Sequence, residues 1–315
     1  MTDMDYNSAQ LSMSNEHYPG LFQGADAVSV SAQKTYFLLQ WAHLGSLVLG
    51  SVVAASTVLA PGMMHAWLYA ASAIVLALGL LIFWIGRSRQ DDKAWFDCRA
   101  IAESVKTVTW RFMMRVPPFE SEDRVGERFV AALREIRQAI PGAEAHLVGA
   151  EGADACPITD FMRQARSLPV GERKQFYIEN RLRNQKSWYS RKGSVNASYG
   201  VRWFWTTACL QALAITIAII QAAAGGLGFN LVPILTTCAA AVAAWNQMKR
   251  HDELKKTYAL ASQELAELEA IASGLTTDSV FPQLVEQVEE AVSREHTMWC
   301  ARRDVPLRRN NLRTW

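Results

Sequence analysis

Charge is missing from two long stretches of this 315-residue chain. No Asp, Glu, Lys or Arg occurs from Thr35 to Gly86, and none from Trp203 to Met248. A helix of a water-soluble core carries charge on its outer face, so these blocks do not belong to one. Each is about twice the ~20 apolar residues that cross a bilayer. The whole-chain totals, 32 basic and 30 acidic residues, conceal this because the charge lies in blocks. Cysteine is also scarce. The five thiols, Cys98, Cys156, Cys209, Cys238 and Cys300, have no short pairwise spacing of a zinc or redox motif. Buried thiols in a reducing compartment are the expectation. The six histidines are dispersed, and there is no P-loop, no Gly-x-Gly-x-x-Gly, no His-Glu-x-x-His and no Gly-x-Ser-x-Gly. The sequence therefore points away from an enzyme, and no cofactor or metal is expected. The first 33 residues hold no Lys or Arg, which excludes the basic start of a secretory signal. Residues 1–33 read as a disordered tail rich in Ser, Asn and Gln.

Each uncharged block divides at a turn: Ala60-Pro61-Gly62 in the first, Gly225-Gly226-Leu227-Gly228 in the second. Lipid cannot satisfy free backbone groups, so the apolar runs must be helices. The fold class is all-α and integral to the membrane, with two transmembrane hairpins, four spanning helices in all, and long cytoplasmic helical extensions. Lys34, Arg87, Arg89, Arg202, Lys249 and Arg250 flank the hairpin ends, and only His65 is titratable near a turn. The positive-inside rule then puts both termini and the central segment in the cytoplasm of a cell with an inner membrane.

The stretch after each hairpin is similar. Asp92-Lys93-Ala94-Trp95 with Arg99-Ala100-Ile101-Ala102-Glu103 corresponds to His251-Asp252-Glu253-Leu254 with Tyr258-Ala259-Leu260-Ala261-Ser262. This is a duplicated unit, both copies entering from one side. Nothing stops a helix between Ile85 and Met114, or between Trp245 and Ser273, so the second and fourth membrane helices are expected to run on unbroken. Two amphipathic helices follow the same logic, one with Val125, Phe129, Leu133, Ile136 and Ile140 on a face, the other with Phe281, Leu284, Val288 and Val292. The divisions are a first hairpin unit at 34–140, a linker at 141–170, a second at 171–300, and a basic tail at 301–315.

The second half carries a recognisable pattern. Tyr177-Ile178-Glu179-Asn180-Arg181-Leu182, Gln185, Trp188-Tyr189 and Arg191-Lys192 precede a hairpin, and Tyr258-Ala259-Leu260-Ala261, Phe281, Val285, Val288-Glu289, Glu295 and Trp299 follow it. This resembles the SLATT family of two-transmembrane effector domains associated with SMODS nucleotidyltransferases and SLOG domains. The first half resembles a more divergent member by layout. The resemblance implies a bacterial conflict system in which a separate nucleotidyltransferase or SLOG sensor, or its nucleotide product, switches a membrane-permeabilising effector.

Two sets of residues are candidates for function. On the first membrane helix His43, Ser46, Gly50 and Ala54 share a face, and on the third Thr207, Gln211, Ala214, Ala218 and Gln221 do. Such faces pack helices or line a pore; a pore needs a homo-oligomer, since four helices cannot both pack and enclose a channel. His43 either reaches interfacial water or acts inside the membrane. The basic set Arg173, Lys174, Arg181, Arg183, Lys186, Arg191 and Lys192 reads as a contact for anionic lipid, at about 1 kcal/mol per residue near the surface, or for a nucleotide. No specific nucleic acid is expected, because no reading fold accompanies the charge. Besides the pore-forming effector, a membrane-anchored scaffold and a regulated ion channel fit this layout.

Overall fold

The computed structural model describes residues 12–140, 142–149, 156–223, 229–274 and 280–301. Among them every long element is helical: α1 (Gly20–Ser56), α2 (Met63–Arg89), α3 (Asp91–Met114), α4 (Val125–Ala139), α5 (Ala143–Leu147), α6 (Asp160–Ser167), α7 (Val170–Tyr177), α8 (Asn184–Ala223), α9 (Val232–Lys249), α10 (His251–Gly274) and α11 (Phe281–Ala301). A π-helical turn, Ile178–Arg183, joins α7 to α8. The helices sort into two compact units. One draws on Met1–Ala32, Asp92–Arg191 and Thr257–Trp315, the other on Gln33–Asp91 and Lys192–Lys256.

The second of these is the hairpin unit, and its packing is inverted relative to a soluble protein. Its buried residues are small or polar: Gly50, Thr57, Ser72, Gly79, Asp91, Gly193, Asn196, Gly200, Ala214 and Ala239. Its large apolar side chains face outward, as Leu80 (67 % exposed), Trp84 (65 %), Phe204 (62 %) and Ile219 (64 %) illustrate. In water that surface would be untenable; against lipid it is the expected one. Three helical stretches, Gly20–Leu59, Met63–Met114 and Val170–Ala223, are long and apolar enough to cross a membrane. α9 is helical over 18 residues but ends on Asn246-Gln247-Met248-Lys249, so its mean hydropathy is lower. Pro233 sits in its first turn, where the missing N–H is not needed. The first hairpin turns at Ala60-Pro61-Gly62 as expected, with Gly62 at φ 56°. The second turn, Gly225 to Gly228, lies outside the described residues.

The other unit has an ordinary apolar core. α3 contributes Ile101, Val105, Trp110, Phe112 and Met113, α4 contributes Phe129, Leu133 and Ile136, and α11 contributes Phe281, Leu284, Val288 and Val292. Both expected amphipathic faces are thus buried in this core, that of α4 with Phe129 4.7 Å from Phe112 of α3 and that of α11 with Phe281 6.1 Å from Tyr177 of α7.

Three expectations need correction. Residues 20–33 are not a disordered tail; they open α1, and Phe22, Ala25, Ser29 and Ala32 are buried one turn apart along it. The apolar periodicity was there, diluted by Gly24, Asp26 and Ser31. Residues 1–11 lie outside the described set, as does the tail from 302. The stretch 141–170 is not wholly irregular, because α6 is capped by Thr159, whose hydroxyl accepts from the Met162 N–H (3.2 Å), and buries Met162 and Ala165. Finally, the helices leaving the hairpins do not run on unbroken. Gln90 and Arg250 both adopt the left-handed conformation, at φ 51°, ψ 37° and φ 51°, ψ 39°. Each ends one helix, and Asp91 and Asp92, or Asp252 and Glu253, open the next, where the helix dipole favours acids.

These two breaks expose the duplication. The interval from Gln90 to Arg250 also relates Ile101 to Ala261, Val105 to Leu265, Val108 to Leu268 and Phe112 to Ala272, all buried. α3 and α10 therefore present equivalent faces to the core.

Candidate functional site

In the first hairpin, the candidate face of α1 is a helix–helix seam. The His43 ring Nδ1–H donates to the Gly79 carbonyl (3.1 Å), and the ring lies 5.3 Å from Phe83. Ser72 donates to the Gly50 carbonyl (3.0 Å). A side chain at Gly79 would overlap Ser46 Oγ, and one at Gly50 would stand 2.6 Å from Leu76 Cδ2, so a Cβ at either position makes its neighbour shift. Ala54 is half-buried, and its carbonyl accepts from the Thr57 hydroxyl (2.7 Å). Backbone carbonyls thus absorb the polar groups of this face, the Gly79 carbonyl of α2 taking His43 and the His43 carbonyl of α1 itself taking Ser46 (2.7 Å).

The face on α8 is used differently. Ala214 is buried, Thr207 donates back to the Trp203 carbonyl (3.0 Å), and Gln221 donates to the Phe229 carbonyl (3.2 Å). Gln211 and Ala218 are exposed, and Gln211 has no hydrogen-bond partner among the described residues.

The basic set does not form one surface. Arg181 is 1 % exposed and Arg173 is 6 % exposed. Arg183 donates to Glu269 Oε1 (2.7 Å), and Lys186 pairs with the other oxygen of the same carboxylate. Those two contacts hold Glu269 below the usual carboxylate range. Lys174 is half-buried, while Arg191 and Lys192 are exposed. Arg181, Arg183 and Lys186 are therefore paired with acids of the fold, and Arg173 is buried. A run of like charges in sequence does not reveal the acids that meet it from α10 and α11.

The residues that sequence reasoning passed over are those acids. Glu289, 1 % exposed, receives a fork from Arg181: Nε to Oε1 at 2.8 Å and Nη2 to Oε2 at 2.6 Å. The Tyr177 hydroxyl donates to the same Oε1 (2.9 Å). Burial pushes the Tyr177 phenol up, and Glu289 pushes it further, so the hydroxyl stays protonated and donating. Burial works against the Arg181 cation, but Glu289 more than compensates and holds it charged. Nearby, Trp110 donates to the Tyr18 hydroxyl (2.9 Å), and its ring stands 5.6 Å from that of Tyr177. Arg181 belongs to the π-helical turn, which widens the backbone where its guanidinium must reach α11. One signal was available: Glu289 interrupts the apolar stripe of Val285, Val288 and Val292.

This arrangement can lock one helix onto another through a desolvated ion pair. Among the described residues no cluster of three or more His, Cys, Asp or Glu is placed to hold a metal ion.

Comparison with known families matches residues 19–174 to the SMODS and SLOG-associating 2TM effector domain 3, and residues 177–299 to the SMODS and SLOG-associating 2TM effector domain 1. No curated protein and no solved structure matches the chain. The two matched segments meet inside α7, and the stretch 141–170 falls within the first.

Proposed function

The chain belongs to the SLATT family as two such domains in tandem, and on that footing we propose that it is a membrane effector that permeabilises the bilayer as a homo-oligomer. SLATT domains are two-transmembrane effector domains associated with SMODS and SLOG proteins. The observation that carries the proposal is the hairpin unit itself. Its interior is built from small or polar residues while Trp84, Phe204 and Ile219 face outward, and Gln211 is exposed on the same helix as Phe204 and Ile219. An amide in hydrocarbon costs free energy unless it is hydrogen-bonded. Other copies of the chain, meeting around a wetted path, supply its partners.

All four hairpin helices span the inner membrane in this reading, with α9 as the fourth and both termini in the cytoplasm, because the basic residues flank the ends and avoid the turns. The helices outside the hairpins receive the signal, a nucleotide-type product of a separate nucleotidyltransferase or a SLOG sensor protein. Controlled expression in a bacterial host tests the proposal. Growth arrest with loss of membrane potential, reduced by Gln211→Leu, is expected. Retained function after both hairpins are exchanged for unrelated spanning helices would instead make the chain an anchored scaffold.

A further inference from the structure

Four arginines gather away from the Glu289 pair with too little negative charge to balance them. Arg115 follows α3, Arg128 lies in α4, Arg166 in the last turn of α6, and Arg173 in the first turn of α7. Arg166 is the centre. Its Nη2 donates to the Phe119 carbonyl (2.9 Å) and to Glu122 Oε1 (3.0 Å), its Nη1 to the Phe112 carbonyl (2.5 Å), and it covers the Phe112 ring at 4.9 Å. Two further guanidiniums converge on the Arg166 carbonyl, Arg115 through Nε (3.0 Å) and Arg173 through Nη1 (3.3 Å). Arg128 donates to the Ser121 and Asp123 carbonyls.

Among the described residues, Glu122 is the one carboxylate that bonds to this group, through Arg115 and Arg166. Four cations face one anion. Burial weakens the Arg166 and Arg173 cations, and Arg115 repels both of them. Arg173 is 6 % exposed, yet its Nε has no partner among the described residues, and the same holds for the buried Nε of Arg128. Native proteins pair buried charges and satisfy buried donors. Two of the five buried side-chain atoms without a partner among the described residues belong to this one cluster, where positive charge is also in excess.

We propose that Arg115, Arg128, Arg166 and Arg173 form a binding site for a phosphate-bearing anion, which supplies the negative charge and acceptor oxygens the cluster lacks. Guanidinium forks match the spacing of phosphate oxygens, and several oxygens on one group can serve several forks. Arg166 holds the site's frame through its carbonyl contacts, Arg115 shares Glu122 with it, and Arg128 and Arg173 bring charge that no carboxylate among the described residues meets. The site gives the signal-switched effector a place and a chemistry for its signal. It rests on that reading only for its consequence, since binding is measured without any leak.

The test uses full-length protein in phosphatidylcholine nanodiscs, with inorganic pyrophosphate titrated by calorimetry and followed by thermal unfolding. Pyrophosphate is expected to bind and raise Tm, and the double variant Arg115→Gln, Arg173→Gln to weaken binding by about tenfold or more. Without the anion, that variant is expected to unfold no earlier than the native chain, because like charges have been removed. If it does not fold, Arg128→Gln alone is read for the same loss. Repeating the titration with phosphatidylglycerol in the nanodisc separates the sources. Unchanged binding assigns the site to a soluble phosphate and suppressed binding to the lipid headgroup, and either result keeps the site. No pyrophosphate binding by the native chain, or equal binding by the variants, overturns it.

Discussion

Glu289 and Arg181 form a desolvated ion pair inside an otherwise apolar core, joining the π-helical turn after α7 to α11. A buried ion pair of this kind is weak as a stabiliser but costly to break. Removing one partner leaves the other charge desolvated and typically costs about 3–5 kcal/mol, whereas replacing both with apolar groups is often neutral. Glu289→Leu is therefore expected to lower stability by roughly that amount, while the double variant Arg181→Leu, Glu289→Leu recovers most of the loss. Thermal unfolding in detergent reads both. Equal destabilisation by single and double variants would contradict the assignment. Glu269 gives a separate pH signature. Its folded pKa is lowered by Lys186 and Arg183, so its contribution is fully present above the unfolded glutamate pKa and is lost as pH falls through the lower, folded value. Glu269→Gln is expected to flatten that acid limb of an unfolding-versus-pH curve.

At the level of elements, the helices after the two hairpins are each preceded by a left-handed residue that is not glycine. A non-glycine residue in that conformation costs about 1–2 kcal/mol. Gln90→Gly and Arg250→Gly are expected to be tolerated and to raise Tm slightly, while Gln90→Val lowers it; a loss of stability with each glycine, as in an unbroken helix, would contradict the breaks. The opposite rule holds in the first hairpin. Gly79→Leu must displace Ser46 and separate α1 from α2, so a loss of about 1–3 kcal/mol is expected, read by thermal unfolding. Much of this level was legible in the sequence. The charge-free blocks located the hairpins, the turn at Ala60-Pro61-Gly62 was readable from its residues, and the stripes of α4 and α11 named their buried faces. The breaks at Gln90 and Arg250 were not legible, because neither residue is a glycine or proline and the helical pattern resumes at once. The pairing of Arg181 with Glu289, and of Arg183 and Lys186 with Glu269, was hidden for another reason. Contacts between residues so distant in sequence depend on how α7, α8, α10 and α11 fold together, and local charge counts carry no information about that.

For the whole molecule, the small-residue interior of the hairpin unit and its apolar exterior explain why balanced overall charge coexists with membrane insertion. His43, Ser46 and Gly50 are spent on the seam with α2, which leaves the α8 face, with Gln211 exposed, as the surface for the proposed assembly. Release of a self-quenching dye from liposomes carrying the purified full-length chain tests this most directly. Release that rises more steeply than linearly with the protein-to-lipid ratio, and falls several-fold in Gln211→Leu while the variant remains folded, is the expected result. Intact vesicles at every ratio, with or without added nucleotide or pyrophosphate, would contradict a permeabilising effector.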